Sequence, residues 1–215
     1  MKPAVVILSA PSGGGKTTIA RALAERRRDV GLSVSATTRK PRPSERDGEA
    51  YHFVPRAEFR RRVDAGELLE WAEYAGELYG TLRREVDALR GAGRHPLLDI
   101  EVQGARQVRA ALGATEVIGV FLLPPSPTAW GERLLGRKTE SAEALKKRLA
   151  TAQQELDAVS EYDHVVVNGE LEKAVAEVSA IIDTGGRPAR RPADVHERIA
   201  ALRRAAARGS LEGGA

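Results

Sequence analysis

The sequence predicts an α/β fold: a parallel sheet core flanked by helices, with a small mixed α/β region inserted after the second strand. Three observations carry that expectation. An apolar run, Ala4 to Leu8, breaks at a small-residue turn, Ser9 to Gly15, and meets a helical pattern at Lys16, which reads as strand, loop, helix. Further on, apolar strand-like runs alternate with helical ones as far as Ile182, the arrangement of parallel strands covered on both faces. Between about Ser35 and Thr81 the alternation lapses into prolines, turn residues and short extended stretches. That region is expected to fold as a separate unit standing away from the main sheet.

The first turn is the most informative stretch. Gly13, Gly14 and Gly15 let successive backbone N–H groups converge on one point without Cβ interference, and the following helix aims its positive end there. Lys16 adds a point charge with the reach to meet the outer phosphates of a nucleotide, and the Thr17 hydroxyl is placed to ligate the Mg²⁺ that accompanies them. The strict phosphate-loop pattern asks for Gly where Ala10 stands. The bland alternative is a glycine-rich turn that merely ends a strand. Gly15, Lys16 and Thr17 falling together in a strand-to-helix context favour the phosphate loop.

The helix that follows runs through about Arg28, with Gly31 just past its end, and Leu32 to Ser35 supplies a second short strand. Ala36 to Gly48 is polar, with two prolines and four basic residues, and reads as a solvated loop. Its Arg39 and Arg42 are also a ready clamp for a second anion, because guanidinium forks match phosphate oxygens two at a time. Tyr51 to Val54 is extended, Pro55 opens a short helix closed by Gly66, and Leu68 to Tyr79 forms strand and turn with its tip at Gly76. Arg83 to Arg90 is helical, Pro96 to Ile100 a buried strand, Gln103 to Leu112 a helix and Glu116 to Leu123 a central strand ended by Pro124, Pro125 and Pro127. A basic stretch, Ala129 to Leu149, precedes a long helix to about Val159, a last strand His164 to Val167 and a last core helix Leu171 to Ile182. Asp99, at a strand end, would orient Mg²⁺ or its waters or else cap the following turn; with a phosphate loop present the metal role is preferred.

Composition narrows the function classes. The chain of 215 residues is 42% hydrophobic and 30% charged, with no cysteine, which excludes disulfides and thiolate metal sites. Its four histidines are scattered without ligand spacing. No N-terminal signal-like segment and no apolar run long enough for a bilayer stand in the sequence, so a cytoplasmic protein without membrane contact is expected. The net charge of +4 resides in the tail after Thr184, where seven arginines face three acids. A basic, Ala/Gly/Pro-rich tail is read as a solvated appendage, with a short helix at Val195, Ile199 and Leu202 opened by an Asp194/Glu197 capping box. The rest is neutral overall, which disfavours nucleic acid as a partner. No Ser/His or Cys/His pair is placed for covalent catalysis, so direct phosphoryl transfer is expected.

The ordered segments SAPSGGGK, VSATTRKPRPSERDGEAYHFV, LLEWAEYAGELYGT, LLDIEVQGA, ERLLGRKTES with KKRL, and VVVN resemble the guanylate kinases from Val5 to about Ile182. The resemblance implies ATP + GMP ⇌ ADP + GDP with Mg²⁺, and a core (1–34, 82–125, 150–184) carrying a GMP-binding region (35–81) and a helical lid (126–149), followed by the tail 185–215. It implies that Ala10, Pro11, Ser12, Gly13, Gly14, Gly15, Lys16, Thr17 and Thr18 cradle ATP. Arg133, Arg137 and Arg148 would close on the transferring phosphoryl group and on ATP, and Asn168 would lie against adenine. Ser35, Arg39, Arg42, Tyr51, Glu70, Tyr79, Thr81 and Glu101 would form the GMP site, with Arg39, Arg42, Tyr51 and Tyr79 on the monophosphate. The catalytic set would be Lys16, Arg39, Arg137, Arg148 and Asp99, and the metal residues Thr17 and Asp99.

Glu70 makes independent sense, since guanine presents N1–H and its exocyclic amine side by side to a carboxylate; a lone Glu on a strand is otherwise a surface charge. Lys146 and Lys147 fit an ordinary helical charge stripe. Two positions depart from the family pattern: Lys138 follows Arg137 where Gly is common, and Glu101 stands where Asp is also frequent. Other readings are a non-catalytic protein-binding module of the same fold, a kinase for another small acceptor, and a nucleic-acid binder working through the tail. dGMP as a second acceptor, and a monomer or homodimer, complete the expectations.

Overall fold

The computed structural model describes residues 2–74, 76–135 and 142–208. The strands are β1 Val5–Ser9, β2 Val30–Leu32, β3 Ser35–Thr37, β4 His52–Phe53, β5 Leu68–Tyr74, β6 Glu77–Leu82, β7 His95–Asp99, β8 Val117–Leu123 and β9 His164–Val167. The helices are α1 Lys16–Arg26, α2 Arg56–Asp64, α3 Arg83–Gly91, α4 Val102–Leu112, α5 Pro127–Leu135, α6 Ala142–Asp157, α7 Leu171–Asp183 and α8 Val195–Arg208. One sheet has the strand order β2-β7-β1-β8-β9 and a second, separate sheet the order β4-β3-β6-β5. β1 and β8 are buried at every position, as central parallel strands covered on both faces require. The α/β class and the inserted mixed region are as the sequence predicts. By internal packing the chain divides into two compact units, Met1–Ile7 with Ala24–Val117, and Leu8–Leu23 with Ile118–Ala215.

In the first unit β2 and β7 pair in parallel. The single strand expected over Leu32 to Ser35 is two strands in two sheets. Ser33 N–H still donates to Leu97 O at 3.0 Å, but by Ser35 the chain pairs with Thr81 of β6. A short apolar run cannot show such a change of sheet. The expected loop therefore starts only after Thr37, because Ala36 is buried with Phe59, Leu68, Leu78 and Leu82 in the core of the second sheet. Phe59 comes from α2, whose N-cap is Pro55 and whose exit is turned by Gly66 at φ 67°, a conformation that favours glycine. The free edge of β5 is covered at Trp71, whose N–H and C=O both bond the Gln107 side-chain amide, at 3.1 and 3.0 Å. That pairing removes exposed donors and acceptors from an edge strand.

In the second unit β8 and β9 pair in parallel, and the tail is not a solvated appendage. Gly185 and Gly186 turn the chain at φ 62° and 76°, after which Arg190 O accepts from Val165 N at 2.8 Å. His164 Nδ1 accepts from Arg190 N at 3.0 Å and its Nε2 donates to Gly186 O at 3.1 Å. α8 then buries Val195, Leu202, Ala205 and Ala206. Arg198 donates to Pro125 O at 3.0 Å, and Arg203 pairs with Asp157 at 2.6 Å at the C-terminal end of α6, where a cation also complements the helix dipole. Asp194, expected in a capping box, carries its carboxylate to Arg198 at 2.8 Å. The apolar stripe outweighs the arginine-rich composition, since long basic side chains lay their stems along a surface while their heads find oxygens.

Candidate active site

The loop between β1 and α1 has the geometry the glycines predict. Gly13 and Gly15 sit at φ 79° and 87°, a region costly for any residue with a Cβ. A Cβ on Gly14 would stand 2.6 Å from Ala10 Cβ and 2.8 Å from Pro11 O. Ala10 in place of the usual glycine is thus tolerated because Gly14 leaves room for its methyl. Lys16 opens α1, and a helix N-terminus is a ready place for an anion; within the loop the Gly14 N–H donates to Pro11 O at 2.7 Å. Thr17 and Thr18 are exposed.

Helices α5 and α6 grip this loop within the same unit. Ser12 N–H donates to Glu155 at 3.0 Å, Ser12 Oγ accepts from Arg148 Nε at 3.1 Å, and Ser12 O accepts from Trp130 Nε1 at 2.8 Å. Arg133 donates to Asn168 O at 3.0 Å. The Asn168 side chain is buried beneath the loop, its amide donating to Gly14 O at 2.7 Å. That bond ties the loop to the residue that follows β9. Arg137, and Lys138 beside it, lie outside the described residues.

The first unit carries the other cluster. Across the second sheet Ser35 pairs in register with Thr81, and Thr81 with Glu70, next to an irregularity between Leu68 and Glu70 of the kind that re-aims a side chain near a site. Glu70 is 7% exposed. Thr81 Oγ1 donates to its Oε1 at 2.6 Å, and its Oε2 lies over Gly104, where a Cβ would be 2.7 Å away. Arg39 forms a two-pronged pair with Glu45, Nη1–Oε2 2.9 Å and Nη2–Oε1 2.9 Å. It also stands 5.4 Å from the Tyr51 ring centre, and the Tyr51 and Tyr79 rings meet edge to face at 6.0 Å. The Arg39 guanidinium, with the Arg42 backbone N–H, lowers the Glu45 carboxyl to about 2, and Glu45 in turn raises Arg39. Tyr51 is raised, chiefly by burial and then by the charges of Tyr79 and Asp99, against the opposing effect of Arg39. Asp99 thus acts on the same cluster. Arg42 is exposed, and Glu101 is exposed at the N-cap of α4.

The family model for guanylate kinase matches residues 2–185. The chain belongs to the guanylate kinase family. It is 46% identical over 180 residues to a guanylate kinase of Dechloromonas aromatica (strain RCB), covering 84% of this chain and 88% of that protein. It is 49% identical over 178 residues to one of Thermobifida fusca (strain YX), covering 83% and 90%. Among solved structures, the guanylate kinase from Anaplasma phagocytophilum superposes with a TM-score of 0.69 at 32% identity, covering 86% of this chain and 87% of that one. α8 lies beyond the residues the family model matches.

Guanylate kinase chemistry implies a divalent ion, and the donors suit Mg²⁺. The Thr17 hydroxyl and the Asp99 carboxylate are hard oxygen ligands, and no group of three or more His, Cys, Asp or Glu able to hold a metal occurs among the described residues. Mg²⁺ matches that supply, since it keeps several waters and is held by one or two protein oxygens plus substrate phosphates. Glu45, Gly104, Trp130 and Glu155 escape a reading of the sequence. The guanylate kinase segments VSATTRKPRPSERDGEAYHFV and LLDIEVQGA include Glu45 and Gly104; Trp130 and Glu155 fall in none of the quoted segments.

Proposed function

We propose that this chain catalyses ATP + GMP ⇌ ADP + GDP, accepting dGMP as well, with Mg²⁺ carried on the nucleotide. The observation that supports it most is the buried Glu70 carboxylate, fixed by Thr81 and lying over the bare α-carbon of Gly104. Guanine donates N1–H and an amine hydrogen to such a carboxylate, whereas adenine offers an acceptor at N1 and leaves it unpaired. A site built on hydrogen bonds of this kind rejects the wrong base by about 10⁴-fold or more. In this reading Ser35 and Glu101 complete the base and ribose side, while Arg39, Arg42, Tyr51 and Tyr79 take the monophosphate. Glu45 holds Arg39 beside the two tyrosines so that little ordering remains when the phosphate arrives.

On the ATP side residues 10–18 cradle the phosphates, Lys16 follows the charge of the transferring group, and Arg133, Arg137 and Arg148 add positive charge from the lid. Thr17 and Asp99 would hold Mg²⁺, which when bound offsets charge on the β- and γ-phosphate oxygens. The protein itself contributes positioning and positive charge; no covalent intermediate is needed. The functional division follows as core 1–34, 82–125 and 150–184, GMP-binding region 35–81, lid 126–149 and tail 185–215, with closure on the two nucleotides during turnover. No helix among the described residues is long and apolar enough to cross a membrane; the protein is assigned to the cytoplasm as a monomer or homodimer. Nucleic acid is not a partner in this reading.

Coupled detection of ADP with ATP, Mg²⁺ and each of GMP, AMP, CMP and UMP tests the assignment. Turnover with GMP far above the others is expected, and Lys16→Ala should lower kcat by about 10²- to 10³-fold with any acceptor. Binding of GMP without turnover would make the chain a protein-binding module instead. Preference for another acceptor would overturn the Glu70 reading, and a near-normal kcat in Lys16→Ala the phosphate-loop reading.

A further inference from the structure

All three polar groups of Ser12 are held from α5 and α6: its N–H by Glu155, its hydroxyl by Arg148 and its carbonyl by Trp130. Arg148 and Glu155 are two turns apart on α6 and so lie on one face of that helix. Glu155 is 6% exposed. A buried carboxylate beside an anion-binding loop repels the loop's own ligand, and an apolar side chain of similar volume would pack there without the cost of desolvating a charge. An acceptor at that place fixes the Ser12 N–H by a charge-assisted hydrogen bond, which an apolar side chain does not. Gly13, the next residue, lies against Leu134 of α5, where a Cβ would stand 3.0 Å from Leu134 Cγ. Fixing the loop at Ser12 matters because the glycines after it have the greatest conformational freedom to lose.

We propose that Glu155 is a positioning residue for ATP: acting through the Ser12 N–H, it holds the phosphate loop, in which the Gly14 N–H closes a turn onto Pro11 O, in the shape that receives the nucleotide's phosphates. The proposal rests on residues 10–18 being the ATP loop and is independent of which acceptor is phosphorylated. It couples the root of the lid to the loop, since α5 and α6 both end their grip on the same residue.

The test uses the full chain and its Glu155→Ala and Glu155→Gln variants, with Kd for Mg·ADP and for GMP measured separately by calorimetry, and melting temperature alongside. Glu155→Ala should weaken ADP about ten-fold or more and leave GMP within two-fold, because GMP is read by residues of the other unit. Glu155→Gln keeps an oxygen for the Ser12 N–H and should recover ADP affinity to within about three-fold of wild type. ADP affinity unchanged in Glu155→Ala would overturn the proposal. So would a parallel loss for both nucleotides, or a Gln variant as weak as Ala. Absence of GMP turnover in the wild type, with the ADP-specific loss still present, would sink the proposed acceptor and leave this inference standing.

Discussion

Replacing Gly104 by Ala tests the proposed base-reading role of Glu70 without changing Glu70 itself. A methyl at that position would sit 2.7 Å from Glu70 Oε2, 3.1 Å from its Cδ and 3.4 Å from its Cγ. An unstrained carbon–oxygen contact is about 3.3 Å, so Oε2 must retreat by about 0.6 Å. Oε1 is anchored by the Thr81 hydroxyl at 2.6 Å, so the carboxylate swings about that bond and loses alignment with the two guanine donors. One hydrogen bond to a charged group is worth about 1.5–3 kcal/mol, which converts to a rise in KM for GMP of about 10- to 150-fold. The helix itself moves the other way. Gly104 has ordinary helical backbone in α4, and Ala there is favoured over Gly by about 0.5–1 kcal/mol. Initial rates with GMP varied at saturating ATP, and the reverse, give the answer. KM for GMP should rise, KM for ATP should stay, and the melting temperature should not fall. A wild-type KM for GMP in Gly104→Ala would refute the argument that Glu70 Oε2 faces the base.

Two further outcomes test other parts of the structure. Leu202, buried on α8, should cost about 2–5 kcal/mol when cut to Ala, read as a drop of roughly 2–4 °C per kcal/mol in a chain of this size; an unchanged melt would mean that α8 is not docked. Burial lowers the His164 pKa below the ordinary histidine value of about 6.5; the Gly186 carbonyl and the Asp163 charge oppose that, and the Arg190 and Arg191 charges add to it. Between the lowered folded value and about 6.5 the unfolded chain binds more protons. The stability that neutral His164 contributes is therefore complete above about pH 6.5 and lost as pH falls through that window, by at most about 1.4 kcal/mol per pH unit. Melts of wild type and His164→Asn from pH 8 to 5 check this: the wild type should lose more on acidification, and parallel curves would refute it.

What was legible in the sequence was what lies close along the chain. The phosphate loop announces itself because Gly13 to Thr17 are contiguous, so the whole pattern is read within five residues. The strands β1 and β8 announce themselves because burial on both faces removes all polar residues from the run. Glu155 and Ser12 are 143 residues apart, and nothing local separates that glutamate from an exposed one on a lysine-rich helix. Gly104 shows why space is harder to read than charge: in a helix a glycine looks like a weak choice until the atom occupying its missing side chain is known. The tail misleads for the opposite reason. Its composition is basic overall, while docking is set by four small or apolar residues among the arginines, Val195, Leu202, Ala205 and Ala206. The acidic residues carry the same lesson furthest. Glu45, Glu70 and Glu155 hold respectively an arginine, a threonine hydroxyl and a backbone N–H. Each is a carboxylate that a phosphate-binding protein would shed on electrostatic grounds alone. Their presence beside the proposed anion sites is the physical reason to assign them to orientation and base selection, since positive charge without aim would bind any phosphate and prefer none.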